Sequence, residues 1–145
     1  MTQTLGADLL SVVARINRLA TQRARLPLPY AQARLLSTIE DQGATRISDL
    51  AALDHCSQPT MTTQVRRLED AGLVSRAADP GDARAVLIRI TPKGVETLRQ
   101  VRLDRGAAVD PYLERLDAAD RQTLSEAVRV LRGLLADAAS PSTAK

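Results

Sequence analysis

Side chains able to do covalent or metal chemistry are nearly absent from this chain. It holds one histidine and one cysteine, and they are neighbours, His55 and Cys56. A structural zinc site needs four ligands and a catalytic one needs three with an open position, which two adjacent residues do not supply. Cys56 has no partner for an intrachain disulfide and reads as a small packing residue, since free cysteine is among the most buried residue types. The sequence has no Gly-rich phosphate loop and no Gly-x-Ser-x-Gly nucleophile motif, and its carboxylates are spread along helix faces. The expectation is a protein that is not an enzyme and uses neither metal nor cofactor.

What the chain has instead is a compact run of hydrogen-bonding side chains: Ser57, Gln58, Pro59, Thr62, Thr63, Arg66 and Arg67. If this stretch is helical, with Met61, Val65, Leu68 and Ala71 turned inward at three- and four-residue intervals, the polar residues collect on the opposite side. Thr and Gln can contact base edges or a thymine methyl, and an arginine fork fits guanine. The Ser57 hydroxyl and the first-turn amides can hold a phosphate. Such a helix suits the major groove of a duplex. Further along, Asp82 and Arg84 are spaced so that on a strand both side chains point one way and the carboxylate braces the guanidinium. A braced arginine at a hairpin tip suits a minor groove. Solvated helices often show Thr, Gln and Arg, and surface Asp–Arg pairs contribute little; the succession of the two features gives them weight. With no Phe, no Trp and two Tyr, stacking on single-stranded bases has little to work with, so the expected nucleic acid is double-stranded DNA.

The elements that must position these residues follow from apolar spacing. Leu9, Val12, Val13, Ile16 and Leu19 form one stripe of a long first helix from Leu5 to about Arg25. After Pro27 and Pro29, the residues Ala31, Leu35, Leu36 and Ile39 predict a second helix that stops at Gly43. A short third helix faces inward with Ile47, Leu50 and Ala51. The turn Asp54–Cys56 and the N-cap Ser57 lead to the fourth helix, ended by Gly72, and the pair makes a helix-turn-helix. The period then changes to two. Leu73–Ala77 and Val86–Ile90 read as antiparallel strands, with Val86, Ile88 and Ile90 on one face. The turn Asp79-Pro80-Gly81-Asp82 joins them, Gly81 taking a positive φ at a mobile tip. Thr91-Pro92 opens a fifth helix through Val95, Leu98 and Val101, which Asp110-Pro111 interrupts. Asp117 caps a last helix with the stripe Leu124, Ala127, Val128, Leu131, Leu134 and Leu135. The expected fold class is mainly α with a small β-hairpin wing.

At 145 residues with 44% hydrophobic and 26% charged residues, the chain fits one globular domain, 1–145, and neither a disordered tail nor a fibre. No apolar run approaches the ~20 residues that span a bilayer, and the first ten residues carry no signal-like core. A cytoplasmic protein without a membrane partner is expected, nucleoid-associated when on DNA. Lys and Arg outnumber Asp and Glu by 20 to 17, a balance that permits nucleic acid without demanding it. All but Lys93 and Lys145 of the basic residues are Arg, whose planar fork suits phosphate and guanine edges.

The stretch ISDLAALDHCSQPTMTTQVRRLEDAGLVSRAADPGDARAVLIRITPKG, Ile47 to Gly94, resembles the winged helix-turn-helix core of the multiple-antibiotic-resistance regulator (MarR) family. RRLEDAGLVSR (Arg66–Arg76), DPGDAR (Asp79–Arg84) and LIRITPKG (Leu87–Gly94) carry the likeness. The resemblance implies a winged lobe over 30–92 and dimerisation helices over 1–28 and 93–138; a flexible tail is expected at 140–145, where the apolar periodicity is lost. It also implies a homodimeric transcriptional regulator on a pseudo-palindromic operator, a repressor by default. The groove-reading positions it points to are Gln58, Pro59, Thr62, Thr63 and Arg66, with Asp82 and Arg84 at the wing tip. A small amphipathic effector is implied as well, in a pocket for which Tyr30, Arg34 and the first helix near Arg15 are candidate walls. Pro111 departs from the family pattern, in which the fifth helix continues.

A homodimer also follows from the stripes of the first and last helices. They lie at opposite ends of the chain, and a small domain has little interior left to cover both. Covering each other across a twofold places two reading helices about 34–36 Å apart, one turn of DNA. The main alternative is a winged-helix protein-interaction module without DNA binding, favoured by the near-balanced charge of 45–100. A Cys/His metal sensor has only His55-Cys56 to rest on.

Overall fold

The computed structural model describes residues 2–140. In chain order the elements are α1 (Leu5–Arg23), α2 (Tyr30–Gln42), β1 (Thr45–Arg46), α3 (Ile47–Leu53), α4 (Gln58–Asp70), β2 (Val74–Asp79), β3 (Asp82–Ile90), α5 (Pro92–Leu113) and α6 (Ala118–Ala139). The predicted fold class is the one observed. The chain divides into two compact units, one through Ala108 and one from Val109.

The core of the first unit is built by α2, α3, α4, the sheet and the first half of α5. Leu36, Ile39, Leu50, Met61, Val65, Leu68, Ile88 and Leu98 are its fully buried side chains. Burying one such aliphatic side chain stabilises by about 1.5–3 kcal/mol, so this cluster is what holds α4 in place. Ala31 is exposed and Ala33 is buried in its stead, which extends the α2 stripe on the side of Leu36. Ala71 is likewise exposed, because it is the C-cap of α4 and no longer on its inner face. Val95 faces solvent, leaving Gly94, Leu98 and Val101 as the buried residues of α5.

Two helices of this unit end in the same way. At α4, Gly72 has φ 75°, its amide donates to Glu69 O and the next amide, of Leu73, to Leu68 O. At α3, His55 has φ 52°, its amide donates to Ala52 O and that of Cys56 to Ala51 O. Both are Schellman endings with a left-handed residue at the same position. One uses glycine; the other holds a histidine there.

The sheet has three strands in the order β1-β3-β2, all antiparallel. β1 was not expected. It pairs Thr45 with Ile88 and Arg46 with Leu87. β2 runs two residues beyond the predicted end, and β3 starts four earlier. Val86 is exposed at 40%, so of the three residues expected on one buried face only Ile88 is fully covered and Ile90 half-covered.

The second unit holds α6, capped by Asp117, whose carboxylate accepts from the Asp120 amide at 2.8 Å. The expected interruption at Asp110-Pro111 does not occur, since α5 runs through Pro111 to Leu113. Proline lacks only the one amide that would reach back four residues, and α5 has two residues left to run. The next amides close tighter turns, Arg115 to Tyr112 O and Leu116 to Leu113 O. The expected tail falls outside the described residues except for Ser140, the C-cap of α6. Among the described residues no helix is long and apolar enough to cross a membrane.

Candidate nucleic-acid interface

Ser57 is the N-cap of α4, its hydroxyl accepting from the Thr60 amide at 3.3 Å and donating to Thr60 Oγ1 at 2.9 Å. Pro59 occupies the first turn, where its missing N–H leaves nothing unbonded. With Met61, Val65 and Leu68 buried, Gln58, Pro59, Thr63, Arg66 and Arg67 are exposed and Thr62 is half-buried. The expected surface of α4 is therefore present on one element. Thr62 Oγ1 donates to Gln58 O at 2.8 Å and Thr63 Oγ1 to Pro59 O at 3.1 Å. Thr60 belongs to the same surface, exposed on the flank where Arg67 lies; its helical angle, within sequence reach, points to that flank.

Gln58 differs from the others in its surroundings. It lines a shallow, open groove of about 300 Å³ together with Arg46, Ile47, Ser48, Arg76, Ala85 and Val86. That groove brings the first turn of α4 beside β1 and the wing strand β3, so the two features read separately in the sequence share one surface.

Arg84 is placed by a distortion the alternation did not show. Ala78 pairs with Val86, but Asp79 pairs with Asp82, so Ala83, Arg84 and Ala85 have no partner on β2. Bulges of this kind bend a strand and redirect a side chain. Asp82 does not brace the guanidinium as expected. Its Oδ1 accepts from the backbone amide of Arg84 at 3.0 Å, fixing the bulge and leaving the arginine side chain without an ion pair among the described residues. Gly81 does not take the expected positive φ; Asp79 Oδ1 accepts its amide at 2.9 Å, which shapes the turn instead.

The near balance of charge resolves into two populations. Arg34–Asp54, Arg46–Asp79, Arg76–Glu69, Arg99–Glu96 and Arg102–Glu40 are ion pairs at 2.6–3.0 Å. They consume acidic groups within the lobe. Arg66, Arg67, Arg84 and Arg89 have no ion pair among the described residues. The arginine beside Asp79 holds its carboxyl below the usual range, aided by the Gly81 amide, and the same bond raises Arg46. Glu96 is held down in the same way by Arg99.

A second concavity lies between α1, α2 and α5, about 170 Å³, lined in part by Asn17, Tyr30, Arg34, Leu98, Arg102 and Arg105. Tyr30 and Arg34 line it as expected; from α1 it is Asn17, not Arg15, that reaches it. Arg105 closes one wall. It donates to Thr21 Oγ1 at 2.8 Å and to Asn17 Oδ1, and its guanidinium lies 4.8 Å over the Tyr30 ring. Cys56 is half-buried against the core, and no group of three or more His, Cys, Asp or Glu that could hold a metal occurs among the described residues.

Comparison with known proteins gives the same picture. A family model described as MarR family matches residues 28–86. An HTH-type transcriptional regulator of Mycobacterium tuberculosis is 30% identical over 132 residues, covering 90% of this chain and 92% of that protein. The HTH-type transcriptional regulator FarR of Neisseria gonorrhoeae is 32% identical over 108 residues, covering 74% and 69%. Among solved structures, a transcriptional regulator of Thermotoga maritima is similar with a TM-score of 0.72 at 24% identity, covering 90% of this chain and 95% of that one. A mutant MarR from E. coli complexed with operator DNA is similar with a TM-score of 0.59 at 24% identity, covering 88% and 92%. The structures agree in fold, the Mycobacterium tuberculosis regulator matches along nearly the whole length, and on both grounds this chain belongs to the MarR family of HTH-type transcriptional regulators.

Proposed function

We propose that this protein is a sequence-specific double-stranded DNA-binding regulator, acting as a homodimeric repressor on a pseudo-palindromic operator. The observation that carries the reading is the exposed face of α4, where Arg66 and Arg67 stand beside Thr63 without an ion pair among the described residues, next to a wing whose Arg84 also has none. Base contacts in the major groove come from Gln58, Thr62, Thr63 and Arg66, phosphate contacts from Ser57 and Arg67, and a minor-groove contact from Arg84, with Asp82 setting its bulge. Pro59 shapes the approach. The structure of E. coli MarR complexed with operator DNA supports this assignment by similarity of fold.

Dimerisation is supported by apolar faces left open in a single chain. Val13 and Ile16 of α1 are 45% and 48% exposed, Leu134 and Leu135 of α6 are 56% and 66% exposed, and α6 has no buried residue. The cleft at Tyr30, Arg34 and Arg105 is the place for a small amphipathic effector. Its arginines favour an anionic group and its Leu98–Val101 wall an apolar body.

Selection from random duplexes tests the reading. An enriched palindrome with half-sites one helical turn apart is expected, and affinity for it should fall about 10³-fold or more between 50 and 200 mM salt if about six phosphates are contacted. A protein-interaction module would enrich no duplex.

A further inference from the structure

The loop leaving α4 and the start of α5 are joined more closely than chain connectivity requires. Three successive carbonyls after α4 are each taken by Thr91, just before α5, or by Lys93 in its first turn. Lys93 Nζ donates to Ala71 O at 2.8 Å, Thr91 Oγ1 donates to Gly72 O at 2.7 Å, and the Thr91 amide donates to Leu73 O at 3.0 Å. Thr91 Oγ1 also accepts from the Gly94 amide at 3.1 Å, capping α5 in the same stroke. Gly94 is buried where a Cβ would run into Leu73 O and Ile90 Cγ1, so the helix packs directly on the backbone leaving α4. The Lys93 stem passes over Gly72, with Cδ 3.7 Å from where a Cβ would stand. In a chain that uses arginine for nearly every cation, the residue here is one of its two lysines, and a slim stem with a compact ammonium is what a passage over a bare backbone admits.

We propose that Lys93 and Thr91 form a clasp that sets the angle of α4 against α5, making them positioning residues for DNA recognition that do not themselves touch DNA. The clasp has a second consequence. Leu98, Val101, Arg102 and Arg105, further along α5, line the cleft with Tyr30 and Arg34. A change in the cleft that moves α5 is therefore passed to α4 through the same three carbonyls.

The inference rests on the DNA-binding reading, and the experiment separates the two. Binding of the wild-type protein to its selected duplex decides that reading; Lys93→Met, Thr91→Val and Thr91→Ser decide the clasp. Lys93→Met and Thr91→Val are expected to weaken operator binding about tenfold each, with the slope of log affinity against log salt unchanged. Discrimination against a duplex with one base pair inserted between half-sites should relax, and Thr91→Ser, which keeps the hydroxyl, should bind like wild type. A slope reduced by about one unit in Lys93→Met would mean a direct phosphate contact and would overturn the proposal. So would wild-type affinity and spacing preference in both Lys93→Met and Thr91→Val. Amide exchange supplies a readout independent of DNA: the Thr91 amide should exchange faster in folded Lys93→Met, and an unchanged rate refutes the clasp even if Thr91→Val fails to fold.

Discussion

Arg46 places two donors on one carboxylate oxygen of Asp79, Nε at 3.1 Å and Nη2 at 2.6 Å, and so ties β1 to the wing turn across 33 residues of sequence. The same carboxylate uses its other oxygen on the Gly81 amide. One side chain thus anchors the hairpin and shapes its tip. The bond holds Asp79 below the usual carboxylate value. A depressed carboxylate contributes stability that is present above its unfolded value and lost as pH falls through the folded one, here below about pH 4. Asp79→Asn should therefore melt below wild type at neutral pH, and the gap should close in acid. A gap of constant size from pH 7 to pH 2 in thermal melts would contradict this.

His55 occupies the left-handed position that Gly72 fills at the end of the next helix. Left-handed backbone costs an L-residue roughly 1–2 kcal/mol, and part of the relief from glycine is returned to the unfolded chain. His55→Gly is expected to stabilise by about 0.5–1 kcal/mol and His55→Val to destabilise by about 1–2 kcal/mol. Urea unfolding of the two variants checks the sign; loss of stability in His55→Gly would show that the imidazole makes a contact worth more than the strain.

Gly94 leaves no room for a methyl group against Leu73 O and Ile90. Gly94→Ala is expected to destabilise by about 1–3 kcal/mol through overpacking, despite alanine's better helix propensity. A midpoint at or above wild type in urea would mean that α5 can move away from Leu73 and Ile90 without penalty.

Arg66→Ala should lose about 1–3 kcal/mol of operator affinity and relax preference at one base position, whereas Arg67→Ala should weaken all duplexes alike and lower the salt slope by about one. Arg84→Ala should weaken binding more on a site with a narrow A·T-rich flank than on a G·C-rich one. Equal losses on both flanks would make Arg84 a plain phosphate contact. Fluorescence anisotropy on the paired duplexes measures all three.

A charge on an open apolar face should keep protomers apart. Ile16→Asp and Leu135→Asp, at residues 48% and 66% exposed in one chain, should sediment as monomers at micromolar concentration while wild type sediments as a dimer. A monomeric wild type would remove the dimer from the proposal.

Periodicity and end signals were enough to read most of this architecture. Helices long enough to repeat a stripe announced themselves, and Ser57, Asp117, Gly43 and Gly72 marked their ends because each does a local job. What escaped was non-local. Two residues cannot display a period, so β1 exists as a strand only because Ile88 and Leu87 lie opposite. The bulge at Ala83–Ala85 depends on a register set from the far end of the hairpin, and alternation read along β3 alone could not show it. At the candidate interface the residue identities were legible, while the partners were not. Asp82 serves a backbone amide, and the paired guanidinium belongs to Arg46, whose sequence surroundings carry no signal for a partner so far away.

The back-bonded hydroxyls of Thr62 and Thr63 restrict what a groove-entering α4 can say to DNA. With both protons already given to Gln58 O and Pro59 O, these side chains present lone pairs and methyl groups outward. They complement the exocyclic amines of adenine and cytosine and the methyl of thymine, and they offer nothing to the twin acceptors of guanine. If α4 enters the groove as proposed, donors for guanine come from Arg66 and the Gln58 amide and not from the threonines, so the expected letters are a guanine opposite Arg66 and amine- or methyl-bearing bases opposite Thr62 and Thr63.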